Sequence, residues 1–195
     1  MVKEKLLILE KLLIEKGNPI LESMEEPRDY DELLELITNY KFSFLKDFVD
    51  FYSWKGGLNS ALLFKGEAFD YELSSFGNFF EISGMLSFFT IERISKTLPY
   101  EKKYFPFFFN SSGDRIIINL LEKSKKFGRV FIFSPSITMS PKPMQIYDSI
   151  ESMIDTLIEC YQNGAYKVAN GKLEIDFDLE SKTAQKFNPL SEFWD

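Results

Sequence analysis

The densest hydrophobic pattern of the chain lies at residues 104–120, where two apolar runs flank a polar joint. Phe105 to Phe109 and Ile116 to Leu120 are rich in aromatic and β-branched residues, which suit a pleated sheet. The joint, Asn110 to Asp114, suits a chain reversal because Asn, Asp and Gly tolerate positive φ and Ser and Asp side chains bond nearby backbone groups. The pattern predicts a β-hairpin, and because apolar residues occupy consecutive positions, we expect both faces of its sheet to be covered.

Apolar residues recur at helical spacing in several other segments. The predicted helices cover residues 3–16, a short segment capped by Asp29 or Asp31 and running through Ile37, Ser43 to Tyr52 with Ser43 as N-cap, Thr90 to Leu98 with Thr90 as N-cap, and Ile146 to Tyr161. Glycines follow three of them, and we expect one residue of Gly56-Gly57 to stop its helix in the left-handed conformation. A phosphate loop is disfavoured there because Leu58-Asn59 follows, where a Lys-Ser/Thr pair is needed.

Short apolar runs predict further strands around the central hairpin. They are Ala61 to Phe64, a segment around Tyr71 to Leu73, Phe79 to Phe89 with a break at Gly84, and Val130 to Phe133. Asn170-Gly171 predicts a terminal hairpin within Ala165 to Asp178, where Glu174, Asp176 and Asp178 alternate with apolar residues on a wet face.

The remaining segments are predicted to be loops and a tail. Glu122 to Arg129 is expected to form a solvated turn, and Ser134 to Pro143 holds three prolines and is expected to be a loop. A short helix is expected to start at Ser181 and to break at Asn188-Pro189, after which Phe193 and Trp194 hold the tail in place.

Together these elements predict an α+β fold with a central, mostly antiparallel sheet flanked by helices. The 195 residues suit a single domain over 1–195, with an N-terminal helical region at 1–40, a core at 42–162 and a C-terminal hairpin and tail at 163–195. Phe accounts for 21 residues, so we expect a core built on ring contacts.

Charge and cysteine content narrow the functional class. The net charge of −7 argues against direct nucleic-acid binding. A partner chosen by long-range charge would be basic, but a plain acidic cytosolic protein would have the same charge. Residues 22–35 contain seven carboxylates against Arg28, which indicates either a solvated helix start or an acidic surface for that partner. One cysteine, Cys160, excludes an intrachain disulfide, and no stretch has the length of a membrane span or the pattern of a signal peptide, so we expect a cytoplasmic protein with no membrane partner.

No reaction centre is evident in the sequence. The absence of His removes Ser-His-Asp and Cys-His catalysis and the commonest zinc sites. Carboxylate pairs such as Glu25 with Glu26, or Asp176 with Asp178, are the remaining acid–base option, but they lack a perturbing environment and the spacing of a calcium loop. Cys160 is expected to be a half-buried structural thiol. We therefore predict no catalytic residue, no metal and no cofactor, while a hydrolase that uses carboxylates or a metal stays as a competing hypothesis.

The order of these motifs resembles the SUKH superfamily, which includes fungal cell-wall synthesis regulators and bacterial immunity proteins. The resemblance rests on KDFVDFYSWKGGLN, FPFFFNSSGDRIIINL, GRVFIFSPS followed by a helix over IYDSIESMIDTLIECY, and NGAYKVANGKLEIDF with NPLSEFW, and it spans residues 42 to 194 with a weaker middle. Trp54-Lys55 stands where many members have Asn before Gly-Gly.

The resemblance implies a protein that binds and neutralises a cognate polypeptide toxin in the cytoplasm, often a nuclease of a polymorphic or contact-dependent system. The binder would be a monomer or weak dimer. The residues expected to contact the partner are Glu25, Glu26, Trp54, Asp114, Asp176 and Asp178, while Gly56, Gly57 and Gly113 are expected to shape turns. An intracellular scaffold without a toxin partner is the alternative, resembling the regulatory branch of the family.

Overall fold

The computed structural model describes residues 1–59, 61–62, 72–96, 99–110 and 112–194. Its helices are α1 (Val2–Glu15), α2 (Ile20–Ser23), α3 (Tyr30–Asn39), α4 (Lys46–Trp54), α5 (Ile82–Ser95), α6 (Pro135–Thr138), α7 (Ile150–Asn163) and α8 (Phe177–Phe187). Its strands are β1 (Met24–Glu25), β2 (Gly57–Leu58), β3 (Asn78–Phe79), β4 (Tyr104–Phe109), β5 (Arg115–Asn119), β6 (Val130–Phe133), β7 (Met144–Tyr147), β8 (Tyr166–Ala169) and β9 (Lys172–Ile175). The chain has an α+β fold, as predicted.

The central hairpin is confirmed, and it forms the middle of a five-stranded antiparallel sheet in the order β3-β4-β5-β6-β7. The register shifts between Pro106 and Phe108, so Phe107 is an extra residue in β4. The third strand expected at Val130 to Phe133 pairs with β5. Two short pairs, β1 with β2 and β8 with β9, lie outside this sheet.

Both faces of the sheet are covered, as the two consecutive apolar runs predicted. Phe105, Ile116 and Ile118 belong to the main hydrophobic cluster, while Tyr104 and Ile117 pack on the other face in a smaller one. The main cluster is rich in ring contacts, such as Phe51 with Phe79 at 4.6 Å between centroids. Each such contact is worth about 0.5–1.5 kcal/mol beyond area burial.

The first helix lies on the core, and only some of its apolar side chains are covered. Leu6, Leu9 and Leu13 are fully buried, and α1 packs against α4 and α7. Leu7 and Ile14 remain 57% and 64% exposed. The helix therefore presents an apolar edge to solvent beside its contact with α4.

The structure corrects one predicted helix and one predicted strand. The helix expected over Ile146 to Tyr161 begins at Ile150, because Ile146 lies in β7, which pairs with β6. Ser149 caps α7 by accepting a hydrogen bond from Ser152 N at 3.0 Å. The strand expected over Phe79 to Phe89 ends at Phe79, and a single helix, α5, runs through Gly84.

The strand was predicted wrongly because its apolar residues repeat at the spacing of a helix and not of a strand. Ile82, Met85, Leu86 and Phe89 are buried at helical spacing, so the run packs as one helix face, and Thr90 lies inside α5 instead of capping it. Ala61 and Leu62 are helical, which contradicts the strand expected from Ala61. Residues 63–71 and 97–98, where the other ends of these predicted elements fall, lie outside the described residues.

The terminal hairpin is confirmed at its turn and wrong at its end. Asn170 and Gly171 have φ of 53° and 74°, as a two-residue turn of this kind requires. The hairpin stops at Ile175, because Asp176 caps α8 by accepting a hydrogen bond from Leu179 N at 3.0 Å. The helix expected from Ser181 thus starts four residues earlier, at Phe177.

The tail is held as expected, and the proline-rich loop contains a short helix. Trp194 Nε1 donates to the carbonyl of Ile146 at 2.8 Å, and its side chain is buried. Residues Pro135–Thr138 form α6, capped by Ser134, within the segment expected to be a loop.

Candidate functional site

The Gly56-Gly57 pair lies where backbone segments cross, which corrects the predicted helix stop. After α4 ends at Trp54, Lys55 is extended with φ of −144°. A Cβ on Gly56 would overlap the carbonyl oxygen of Glu26, and one on Gly57 would stand 2.6 Å from the carbonyl carbon of Phe80. One glycine is left-handed, as expected, since Gly57 has φ of 86°, but it lies in β2 and not at the helix end. The glycines are required by these close approaches, and they bring Glu26 next to the end of α4.

The segment before α3 is tied to α4 by backbone hydrogen bonds. Gly56 N donates to the carbonyl of Glu25 at 2.9 Å, and Arg28 N donates to the carbonyl of Tyr52 at 3.3 Å. Of the residues predicted to contact a partner, the structure therefore brings Glu25, Glu26 and Trp54 together.

The other predicted contact residues lie elsewhere and have local roles. Asp114 is buried and accepts a hydrogen bond from Asn110 Nδ2 at 2.9 Å, inside the turn of the central hairpin. Gly113 has φ of 81° in the same turn, which fits its expected role. Asp176 is the N-cap of α8 and Asp178 lies in its first turn, so these two carboxylates do not lie on the wet face of a strand.

The acidic segment forms an exposed surface, which we call the acidic margin. Its seven carboxylates are all exposed: Glu22, Glu25, Glu26, Asp29, Asp31, Glu32 and Glu35. Asp29 caps α3, as predicted, by accepting hydrogen bonds from Asp31 N and Glu32 N. Arg28 is engaged by Glu32 at 3.6 Å and by Glu81 at 3.4 Å. The margin therefore keeps a strong negative charge.

A groove of about 400 Å³ lies beside the acidic margin, between α1 and α4. We call it the α1–α4 groove, and it is lined by Lys3, Leu7, Glu10, Pro27, Asp50, Ser53, Trp54 and Lys55. Lys3, Leu7 and Glu10 share one face of α1 by their spacing, and Asp50, Ser53 and Trp54 share one face of α4. Pro27 joins the groove to the margin because it follows Glu26 directly.

Glu10 closes one end of the groove. Its Oε2 accepts a hydrogen bond from Trp54 Nε1 at 2.8 Å, and its Oε1 lies 3.0 Å from Lys55 Nζ. Partial burial on its own would raise the pKa of Glu10, but the hydrogen bonds from Lys55 and Trp54 outweigh it and lower the pKa below its ordinary value. This end is electrostatically satisfied.

Asp50 also lines the groove, and only one of its two oxygens has a hydrogen bond among the described residues. It is 1% exposed, and its Oδ2 accepts a hydrogen bond from Lys46 Nζ. Among the described residues, no donor hydrogen-bonds to Asp50 Oδ1 or to the buried Ser53 Oγ. An unbonded buried polar atom costs about 1–3 kcal/mol, so the two oxygens are unusual.

The field near Asp50 is negative enough to affect its neighbour. Burial raises the pKa of Asp47 above its usual value, and the charges of Glu151 and Asp50 raise it further, against the opposing charge of Lys46. The charge of Asp50 therefore contributes to this shift, after burial and the charge of Glu151.

The features that suggest chemistry lie outside the groove or are absent from the described ranges. Cys160 is fully buried instead of half-buried, and burial raises the pKa of its thiol to about 12. In the part of the chain that the structure describes, no group of three or more His, Cys, Asp or Glu side chains could hold a metal ion. Likewise, no described helix has the length and apolar character needed to cross a bilayer.

Sequence reasoning found Trp54 and the acidic margin but missed Lys3, Glu10, Asp50 and Ser53. The available signal was Asp50 and Trp54 at i and i+4 on α4, beside a helix face rich in Phe. Nothing in the sequence pairs that face with α1, because the two helices are separated by 30 residues of other structure.

No protein-family model matches the sequence, and no curated protein sequence matches it significantly. The resemblance to the SUKH superfamily therefore stays a prediction from the order of motifs.

Proposed function

We propose that this chain is a stoichiometric protein binder, an immunity protein that neutralises a cognate basic toxin in the cytoplasm. The observation that carries the proposal is the acidic margin, seven exposed carboxylates beside a groove. Two buried oxygens of this groove, Asp50 Oδ1 and Ser53 Oγ, have no hydrogen-bond donor among the described residues. The toxin, as the class of partner, follows from the resemblance to the SUKH superfamily.

The physical logic is charge complementarity followed by occlusion. A nuclease toxin binds phosphate, so its active-site region is basic, and an acidic surface speeds encounter with it and competes with nucleic acid. The net charge of −7 adds a long-range contribution of the same sign. The binder needs no turnover, because covering the toxin's active site is sufficient.

The test is co-expression of this chain with the C-terminal domain encoded by the gene next to its own. We expect growth rescue and a complex that elutes as one species on gel filtration. Toxicity that persists without any complex would contradict the proposal for that pair.

A matched pair of charge variants locates the contact. Glu22, Glu26 and Glu35 are replaced by Gln in the first variant, and Glu122, Glu174 and Glu192 by Gln in the second, so both lose the same charge from exposed positions. We expect the first to slow association by about tenfold at low salt and the second to change it little. Equal effects of the two variants would mean that net charge acts without a defined surface.

A further inference from the structure

The two buried oxygens of the α1–α4 groove point to a donor from outside the chain. Asp50 Oδ1 and Ser53 Oγ are buried, and no described residue hydrogen-bonds to either atom. Buried polar atoms in folded proteins are nearly always hydrogen-bonded, to protein or to water. Because residues three apart on a helix lie on the same face, one ligand can approach both oxygens.

Lys3 covers Asp50 without bonding to it. The Lys3 Nζ lies 3.6 Å from Asp50 Oδ1, within range of an ion pair but longer than an ordinary N–H···O hydrogen bond of about 2.7–3.2 Å. The Lys3 side chain is 60% exposed, while that of Asp50 is fully buried. Because most of the Lys3 side chain is in water and makes no hydrogen bond to Asp50, another cationic donor can take its place at Oδ1.

The shape and charge of the groove select the kind of donor. Leu7, Pro27 and Trp54 give it apolar walls, which suit the methylene stem of a long basic side chain. A guanidinium carries five N–H donors in a planar fork, so it can reach a carboxylate oxygen and a neighbouring hydroxyl together. An anion is disfavoured, because both lysines that line the groove face a carboxylate: Lys55 pairs with Glu10, and Lys3 lies 3.6 Å from Asp50 Oδ1.

We propose that the α1–α4 groove is the receptor for an arginine side chain of the partner polypeptide, which displaces Lys3 and donates to Asp50 and Ser53. Lys3 then acts as an internal placeholder that covers the carboxylate until the partner arrives. This inference rests on the proposed function, since the partner supplies the arginine.

The test uses N-acetyl-L-arginine methylamide as a probe and the indole N–H resonance of Trp54 as the reporter. Trp54 lines the groove, whereas the indole of Trp194 is bonded to Ile146 in the tail and provides an internal control. A single side chain binds weakly, with an expected dissociation constant on the order of millimolar. We expect a saturable shift of the Trp54 resonance with the arginine probe, none with the neutral citrulline analogue, and no shift of Trp194.

Two variants with opposite expected effects on the affinity for the arginine probe make the test specific. Asp50→Asn is expected to weaken binding by about tenfold, because it removes a charge-assisted hydrogen bond. Lys3→Gln is expected to strengthen binding several-fold, while Lys11→Gln, which removes the same charge from an exposed position of α1 outside the groove, leaves it nearly unchanged.

Several results would overturn the inference. One is an equal change in probe affinity in Lys3→Gln and Lys11→Gln. The others are an Asp50→Asn variant that binds the arginine probe as tightly as wild type, and a shift of the Trp54 resonance with the citrulline analogue equal to that with the arginine probe. Lys3 and Lys11 are both exposed, so this pair of variants gives an answer even if Asp50→Asn folds poorly. If the probe does not bind but the chain still forms a complex with a basic toxin, the arginine pocket is wrong and the proposed function stands. If the probe binds but no toxin does, the arginine pocket stands and the proposed function is wrong.

Discussion

Asp50 and Glu180 are carboxylates buried to the same extent, each 1% exposed, in very different surroundings. Glu180 Oε1 accepts hydrogen bonds from Tyr166 OH and Ser75 Oγ, which connect α8 with β8 and with the segment before β3. Nearby, Tyr161 OH donates to the carbonyl of Leu73 at 3.0 Å. For Asp50, by contrast, no described residue donates a hydrogen bond to Oδ1, and the residue lines an open groove.

The difference separates polar groups that hold the fold from those available to a ligand. A buried carboxylate that joins three segments stabilises their packing, and removing it leaves donors without acceptors. A buried carboxylate with a free oxygen and exposed lysines around it contributes little to the fold, since those lysines return to water when it is removed. We therefore expect Glu180 variants to change stability and Asp50 variants to change binding.

The largest expected effect is that of Glu180→Ala. It removes the acceptor of the fully buried Tyr166 hydroxyl and opens a cavity, so we expect the free energy of unfolding in urea to fall by about 2–4 kcal/mol. The matched control is Glu35→Ala on the exposed face of α3, expected within about 0.5 kcal/mol of wild type. Equal stability of the two variants would mean that Glu180 does not stabilise the fold, contrary to our inference.

The second expected effect is on the pH dependence of stability. Burial raises the pKa of Glu180, more than the hydrogen bonds from Ser75 and Tyr166 lower it, so the folded state binds this proton more tightly than the unfolded state. The stabilisation of the folded state by protonated Glu180 is therefore fully present below the ordinary pKa of 4.5, and it is lost as the pH rises through the folded-state pKa. Relative to Glu180→Gln, the unfolding free energy of wild type should fall as pH increases above about 4.5, and a pH-independent difference would be the contrary result.

The smallest expected effect is at Glu10, which is satisfied within the groove and has a pKa lowered by Lys55 and Trp54. Glu10→Gln should cost about 1 kcal/mol at neutral pH, measured by urea unfolding, because the ion pair is partly exposed. The pH dependence of stability has the opposite sign to that of Glu180. Ionised Glu10 stabilises the folded state above the ordinary pKa of 4.5, and this stabilisation is lost as the pH falls through the folded-state pKa. Glu15→Gln, at an exposed position of the same helix, is the control, and an equal loss there would contradict the role of Glu10.

The sequence was sufficient to predict those elements that depend only on residues close together in the chain. The central hairpin, the cap at Asp29 and the turn at Asn170-Gly171 depend on neighbours in sequence, so the sequence predicts them correctly. Ile146 and Phe80 to Phe89 were misread because an apolar run suits a strand and a buried helix equally, and the choice depends on the sheet partner. Ser43 fits an N-cap by type, but its Oγ accepts a hydrogen bond from Glu122 N at 3.1 Å and α4 begins three residues later.

The candidate site was predictable only in part, for the same reason. The charge of residues 22–35 is a property of composition, whereas the burial of Asp50 depends on α1 packing across α4. The glycines at 56 and 57 were expected to stop a helix, and their actual requirement, close contact with Glu26 and Phe80, involves residues far apart in the chain.

The most direct test of the comparison is the free energy of unfolding of Asp50→Asn, measured in urea beside wild type. If Asp50 is buried for a ligand, the two proteins should agree to within about 1 kcal/mol, because the lysines that it releases are exposed. A loss of about 3 kcal/mol or more would contradict the account, since it would place Asp50 with Glu180 among the groups that hold the fold.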